Sequence, residues 1–584
     1  MNGNFHKLFA PAALIAAIVL GFSDFSARAF EQPEGASGFT PKPLVKAKRQ
    51  MVVAAHPLAA EAGLAILRQG GSALDAGIAT QMVLNVVEPQ SSGIGGGAFI
   101  LYWDAINKTL TSVDGRETAP AAATPDLFLD ANGKPLPRAD VMASGRSVGV
   151  PGVIASLALA HETFGKLPWA DLFQPAIKLA RDGFPVPPRL AVQLADIGPQ
   201  SFAPAAREYF FDKGGRSWPT GYKLHNPALA DTLSVIAREG PKAFYGGDIA
   251  RDIVAAIADD KRGSGKLSLS DFTDYRAKQR EPVCVPYRAY EVCGMGPPSS
   301  GGVAVAQTLG IAAYDLGKAP LEVEPTHLIA EAERLSYADR ARYLADSDFI
   351  SVPLAGLLDP KYLAERRALI DPARALQNVA AGKPPNIREG SFGNDTTQES
   401  AGTSHISIVD QAGNAFSMTT SIEQAFGARL MVRGFLLNNQ LTDFSFVPLD
   451  AEGRPVANRV QGGKRPRSTM DPTIIFAEGR ELRHVLGSPG GTAIALFNLK
   501  AILALTDWQL NPTDAAALAN FGAPGDLFLL EPGLALDPLA AAMQKLGHKV
   551  KRVPLSSGLH IISVTPNGLE GGADPRRDGV ALGD

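Results

Sequence analysis

The stretch "QESAGTSHISIVDQAGNAFSMTTSI", residues 398–422, decides how this chain is read. The runs "SHISIVD" and "AFSMTTSI" alternate apolar and polar side chains, and "QAGN" between them is turn chemistry, so a β-hairpin is predicted. The first strand opens at Gly402-Thr403, directly after a segment, 371–402, that is rich in Pro, Gly, Asn, Ser and Thr and lacks apolar periodicity. That segment is expected to be an exposed or mobile linker. A threonine hydroxyl is a poor nucleophile near neutral pH unless a base takes its proton. Cutting the chain before Thr403 would supply such a base, because a free α-amine titrates near ~7.7–8. Gly402 has no Cβ to obstruct attack at its carbonyl. Taken alone, a strand-opening threonine after a flexible loop explains the segment more simply.

Working outward, 584 residues exceed a single ordinary core, so two domains or one large interleaved fold are expected. Hydrophobic content of 45% and charged content of 20% are those of a soluble globular protein. The net charge of −3, with no long basic run, argues against a nucleic-acid partner. Lys7 precedes the apolar run "LFAPAALIAAIVLGF", and Ala27 and Ala29 supply an A-x-A cleavage site, so residues 1–29 are read as a signal peptide. Its run contains Pro11 and falls short of the ~20 residues needed to span a bilayer. The mature chain is therefore expected to be periplasmic or secreted, free of the membrane, with a charge near −4. Cys284 and Cys293 flank a predicted hairpin; a disulfide and a pair of buried thiols both fit. Neither cysteine has a nearby histidine or a second pair, and the nine histidines show no metal spacing, so no metal and no cofactor are expected.

Helical periodicity covers 57–69, 74–87, 151–164 (with Pro151 in its first turn), 170–182, 226–240, 301–317, 325–345, 491–506 and 535–547. Strands are predicted in "VPYRAYEVCGM" and in the hairpin "PTIIFAEG"/"ELRHVLGS". Interleaved helices and antiparallel strands predict a layered helix–sheet–sheet–helix sandwich. "SGIGGGAF" lacks both phosphate-loop patterns and reads as a tight turn from helix to strand. "GRSVG", 145–149, satisfies G-x-S-x-G with Ser147, but "RADVMAS" before it is a poor strand, which argues against a serine hydrolase. "KRPR", 464–467, reads as a solvated loop, and His405 as a brace for its strand.

Eight motifs, in order, carry a family resemblance: "GGSALDAGIATQMVLNVVEPQSSGIGGGAF", "DGRETAP", "PPSSGGVAVAQ", "TSHISIVDQAGNAFSMTTSI", "GFLLNNQLTDFS", "GKRPRSTMDPTI", "GSPGG" and "GGADPRRDG". Across nearly all of 45–584 the chain resembles the γ-glutamyltransferases, N-terminal-nucleophile hydrolases that mature by self-cleavage. The resemblance implies a four-layer αββα sandwich cut after Gly402 into a large subunit, 30–402, and a small catalytic subunit, 403–584, joined as a heterodimer. It implies Thr403 as nucleophile, oriented by the Ser421 hydroxyl, with the Gly490 and Gly491 N–H groups as oxyanion hole. Arg116, assisted by Ser468 and Thr469, matches the clamp for the donor's α-carboxylate. Asp443, Gln440 and Glu423 match the ligands of its α-ammonium; Glu423 stands where part of the family has asparagine. The implied donors are glutathione and other γ-glutamyl compounds, with amino acids, peptides or water as acceptors. A related acylase removing glutaryl side chains from cephalosporins is the alternative, and a non-catalytic binding paralogue is disfavoured by the intact nucleophile and oxyanion positions. Between Asp443 and Ser468 the chain lacks the tyrosine that several family members use as a lid, which puts closure over the donor in doubt.

Overall fold

Two seven-stranded antiparallel sheets form the centre of the computed structural model, which describes residues 35–584 apart from Lys318, 388–391, Gln398 and Ala401. The expected signal peptide lies outside these residues. Among them, no helix is long and apolar enough to cross a membrane.

The quoted stretch forms the middle of one sheet. Gly402–Val409 pairs with Ala415–Glu423, Ile406 facing Met418. Gly402–Val409 pairs on its other edge with Met51–Ala54, and that strand with Val580–Gly583. Ala415–Glu423 pairs with Gly97–Asp104, followed outward by Thr109–Gly115 and Lys278–Arg280. The second sheet runs Val45–Ala47, Gly568–Ala573, His560–Thr565, Glu481–Gly487, Thr473–Ala477, Tyr290–Gly294 and Val283–Tyr287. Cys284 faces Cys293 in its edge hairpin, and the two are joined as a disulfide.

Period-two alternation sends the side chains of each strand to two different cores. Val53, Leu101 and Trp103 meet Ile474, Phe476, Val485 and Ile562 between the sheets. Ile406, Ile408, Phe416 and Met418 point outward onto helices Pro57–Arg68 and Ala73–Val87. Ser72 caps the second of these helices in a capping box with Asp75. Helices Gly301–Ile311 and Ile494–Thr506 cover the far face of the other sheet. The order helix, sheet, sheet, helix is the one expected.

Three expectations are corrected. Pro151 precedes Gly152, the cap of helix Val153–Phe164, and so lies outside its first turn. The helix opened by Gly301 stops at Ile311, short of 317. Residues 464–467 are not solvated: Lys464, Arg465 and Arg467 are buried. Arg465 pairs with Asp114 at 2.6 Å, Arg467 with Asp395 at 3.0 Å, and Lys464 donates to the Ala457 carbonyl at 2.6 Å. The three basic residues avoid water here because carboxylates distant in sequence reach both guanidiniums and a backbone carbonyl takes the ammonium. Burial draws the Lys464 ammonium down to about 7.

Candidate active site

Thr403 lies buried at the open end of its strand, in a chain of hydroxyls. Its Oγ1 donates to Ser421 Oγ at 3.1 Å, and Ser421 Oγ donates to the Gly402 carbonyl oxygen at 2.9 Å. The peptide preceding the threonine is thus polarised by the same hydroxyl that holds the threonine. Ser421 Oγ also accepts from the Glu423 N–H at 2.9 Å and from Gln440 Nε2 at 3.4 Å. Register fixes this geometry. Gly402 faces Glu423 while Thr403 faces Ser421, so the pairing skips Ile422 in a bulge. Glu423 takes up the kink with φ of +82°, in the left-handed region that side chains disfavour. A Cβ on Gly402 would lie 2.4 Å from the Gln424 carbonyl carbon, so the close approach of the two strands requires glycine.

The charged partners lie on the 3-10 turn Gln440–Asp443 and the end of strand Thr109–Gly115. Arg116 and Asp443 pair at 2.5 Å, both buried. Arg116 also donates to the Pro466 and Arg467 carbonyls, which sets it beside Ser468. Arg116 Nη1 and Asp443 Oδ1 have no hydrogen-bond partner among the described residues. Burial and the neighbouring Glu423 charge push Asp443 up, with Arg116 opposing. Glu117, whose carboxylate lies 3.7 Å from Arg116, is pushed up by burial to about 8.

Glu423 is engaged by the residues before Gly402. It accepts from the Ser400 N–H at 3.1 Å and from Asn439 Nδ2, and Arg138 approaches it at 3.4 Å. Thr469 is held by a carboxylate and a guanidinium. Its hydroxyl donates to Glu399 Oε2 at 2.5 Å and accepts from Arg340 at 2.8 Å, so it serves a carboxylate of this chain. Ser468 Oγ accepts from the Met470 N–H, and the Ser468 carbonyl accepts from Ser300. Gly490 and Gly491 have φ of +144° and +56°, and a Cβ on Gly491 would lie 2.6 Å from both the Glu399 and Ser400 carbonyl oxygens. This loop therefore packs against the segment leading to Gly402. Asp395, Glu399 and Ser400 are buried, so the exposure expected for 371–402 fails at its C-terminal end.

Several residues of this site were missed by sequence reasoning. Arg340 pairs with Glu399, Arg138 donates to Ser400 Oγ at 3.2 Å, and Arg577 donates to the Thr403 carbonyl at 3.4 Å. Only Arg577 had a signal, its place in "GGADPRRDG". In the segment after Asp443, Phe446 stacks on Phe128 beneath the Arg138 guanidinium.

The rival nucleophile is eliminated. Ser147 is buried in the 3-10 turn Gly145–Ser147, donates to the Ser144 carbonyl at 2.7 Å, and follows helix Arg138–Met142 instead of a strand. His405 braces its strand, its ring bonded to Thr419 and Ser407 and kept neutral by burial. Among the described residues the cluster with ion-ligating chemistry, His327–Glu331–His548, includes no residue of this site, and the sulfurs beside Glu291 are tied up in the Cys284–Cys293 disulfide.

The family description Gamma-glutamyltranspeptidase matches residues 59–584. The chain belongs to the gamma-glutamyltranspeptidase family. It is 37% identical to the glutathione hydrolase proenzyme of Bacillus subtilis (strain 168), covering 98% of this chain and 97% of that one. It is 35% identical to the acylase ACY 1 proenzyme of Pseudomonas sp. (strain V22), covering 91% and 93%. Among solved structures, a cephalosporin acylase from Bacillus halodurans superimposes with a TM-score of 0.81 at 28% identity, over 93% of this chain and 97% of that one. As a gamma-glutamyltranspeptidase-family chain, it has relatives named for both of the activities weighed from the sequence.

Proposed function

We propose that the chain cuts itself between Gly402 and Thr403 and then acts as a γ-glutamyltransferase and glutathione hydrolase, with 30–402 and 403–584 held together as large and small subunits. The observation that carries this reading is the hydroxyl chain from Thr403 through Ser421 to the Gly402 carbonyl. In maturation, Thr403 Oγ1 attacks the Gly402 carbonyl carbon, and Ser421 stabilises the charge that grows on the oxygen. The C–N bond breaks, its nitrogen takes the proton lost by the hydroxyl, and Gly402 remains as an ester on Thr403. Water hydrolyses that ester, leaving a Gly402 carboxylate and a free Thr403 amine.

In turnover that amine accepts the hydroxyl proton as Thr403 attacks the donor's γ-amide. The leaving amine departs with the proton, and an acceptor amine or water releases the γ-glutamyl group from the resulting ester. Gly490 and Gly491 would face the oxyanion once the residues ending at Gly402 are free to move. Arg116, with Ser468 and Thr469 beside it, would take the donor's α-carboxylate. Asp443, Gln440 and Glu423 would take the α-ammonium. The buried side-by-side placement of Arg116 and Asp443 supports a zwitterionic ligand, since each has one polar atom without a hydrogen bond among the described residues. The start of the chain supports export to the periplasm or medium, with removal of 1–29.

The likeness to the cephalosporin acylase favours a second reading, removal of a glutaryl side chain. A glutaryl group has no amine for Asp443 to meet. Release of the chromophore from a γ-glutamyl anilide, compared with a glutaryl anilide, decides between them: preference for the glutaryl substrate overturns the first reading.

A further inference from the structure

The hairpin that carries Thr403 at one end has its turn, Asp410–Asn414, at the other. Thr403 and Val409 are six strand residues apart, about 20 Å. At that far end the two sheets part. The turns of both converge there around a cavity of about 420 Å³, within the range of small-molecule sites, ~300–1,000 Å³. Its floor is the last layer of the inter-sheet core, including Trp103, Val409, Leu482 and Leu569. Its rim carries four cations, Lys48, Arg49, Lys108 and Arg480, each from a different segment or turn position.

The charges there are only partly paired. Of the two carboxylates that line the cavity, Asp410 accepts from the Ala73, Ala412 and Asn414 N–H groups and from Asn414 Nδ2, so it is bound into its own turn. Arg480 is paired from outside the cavity with Glu291 at 2.8 Å and Arg49 with Asp584 at 3.9 Å, which leaves Lys48 and Lys108 facing Glu481 without an ion pair among the described residues. Lys108 has no hydrogen bond or ion pair among the described residues. Arg480 lies 6.0 Å over the Trp103 ring, which joins the rim to the floor.

We propose that this cavity binds a small amphipathic carboxylate, its acyl or aryl body on Trp103 and Leu482 and its head group between Lys48 and Lys108. The apolar floor selects the body, and the cationic rim selects the sign of the head. This site is independent of the reading given for Thr403.

Octanoate and octyltrimethylammonium are the probes. Calorimetric titration of the native protein with octanoate is expected to show saturable binding, accompanied by a change in tryptophan fluorescence that Trp103→Phe abolishes. Lys48→Glu combined with Lys108→Glu, both at the rim and neither in an ion pair, should weaken octanoate at least tenfold with the melting temperature unchanged. The cationic probe should not saturate. Absence of octanoate binding, equal binding by the rim variant, or equal binding of the cation would each overturn the proposal. Turnover of the γ-glutamyl anilide plays no part in the readout, so failure here leaves the assignment of Thr403 untouched.

Discussion

Replacing Ser421 by alanine separates the hydroxyl relay from the fold around it. The Ser421 hydroxyl donates to the Gly402 carbonyl at 2.9 Å and accepts from Thr403, from the Glu423 N–H and from Gln440. Losing it strands the buried Glu423 N–H, which costs about 1–3 kcal/mol of stability. The larger effect is kinetic. Removing a donor aimed at a developing oxyanion typically costs about 2.7–4 kcal/mol in the barrier, or ~10²–10³ in rate. The assay refolds denatured uncut chain and follows its conversion to fragments 30–402 and 403–584 on denaturing gels, with N-terminal sequencing at Thr403. Ser421→Ala should accumulate uncut chain for hundreds of times longer than the parent, and Ser421→Thr should recover part of the rate. A lowered melting temperature with an unchanged processing rate would refute the relay and leave Ser421 as a structural hydroxyl.

Gly402→Ala places a methyl 2.4 Å from backbone, so processing should stall and gels should show mainly uncut chain. Arg116→Ala leaves the buried Asp443 carboxylate without its cation, a loss of about 3–5 kcal/mol in urea unfolding that added Asp443→Asn should partly restore. Glu117 keeps its proton when folded between pH 4.5 and about 8, where the unfolded chain has released it, so its burial lowers stability as pH rises through that window. The stability gain of Glu117→Gln over the parent should therefore grow from the acid to the alkaline end of the window, measured on the uncut Thr403→Ala chain. With no tyrosine between Asp443 and Ser468, water should take a substantial share of the acyl groups even with a dipeptide acceptor present, and γ-linked glutamyl oligomers should serve as donors. Near-complete transfer with refusal of the oligomer, in a product-partitioning assay, would show that another element closes the site.

The layered architecture and the hairpin at its centre were legible because period-two alternation in "SHISIVD" and "AFSMTTSI" survives burial on both faces. The helix read at 74–87 lies at Ala73–Val87, although every residue in it is buried. The residues that set charge at the site were less readable. "KRPR" resembles a solvated cluster until Asp114 and Asp395, far away in sequence, are seen to meet it. Glu399 looked like one more polar residue in a loop; only folding brings Arg340 and Thr469 to its carboxylate. The bulge at Ile422 depends on a one-residue slip that local propensity cannot encode.

The central sheet alternates between the two sides of Gly402. Val580–Gly583, the strand from Thr403 to Val409 and Ala415–Glu423 lie after the proposed cut, while Met51–Ala54 and Gly97–Asp104 lie before it. Three hydrogen-bonded seams therefore stitch the fragments together, each lined by core residues such as Val52, Ile100 and Met418. Severing the backbone at Gly402 would release one joint in a woven fabric, and neither piece could be withdrawn without unravelling the other. Two fragments synthesised apart would each present bare strand edges and half a core, so they should precipitate alone and assemble only when unfolded and refolded together.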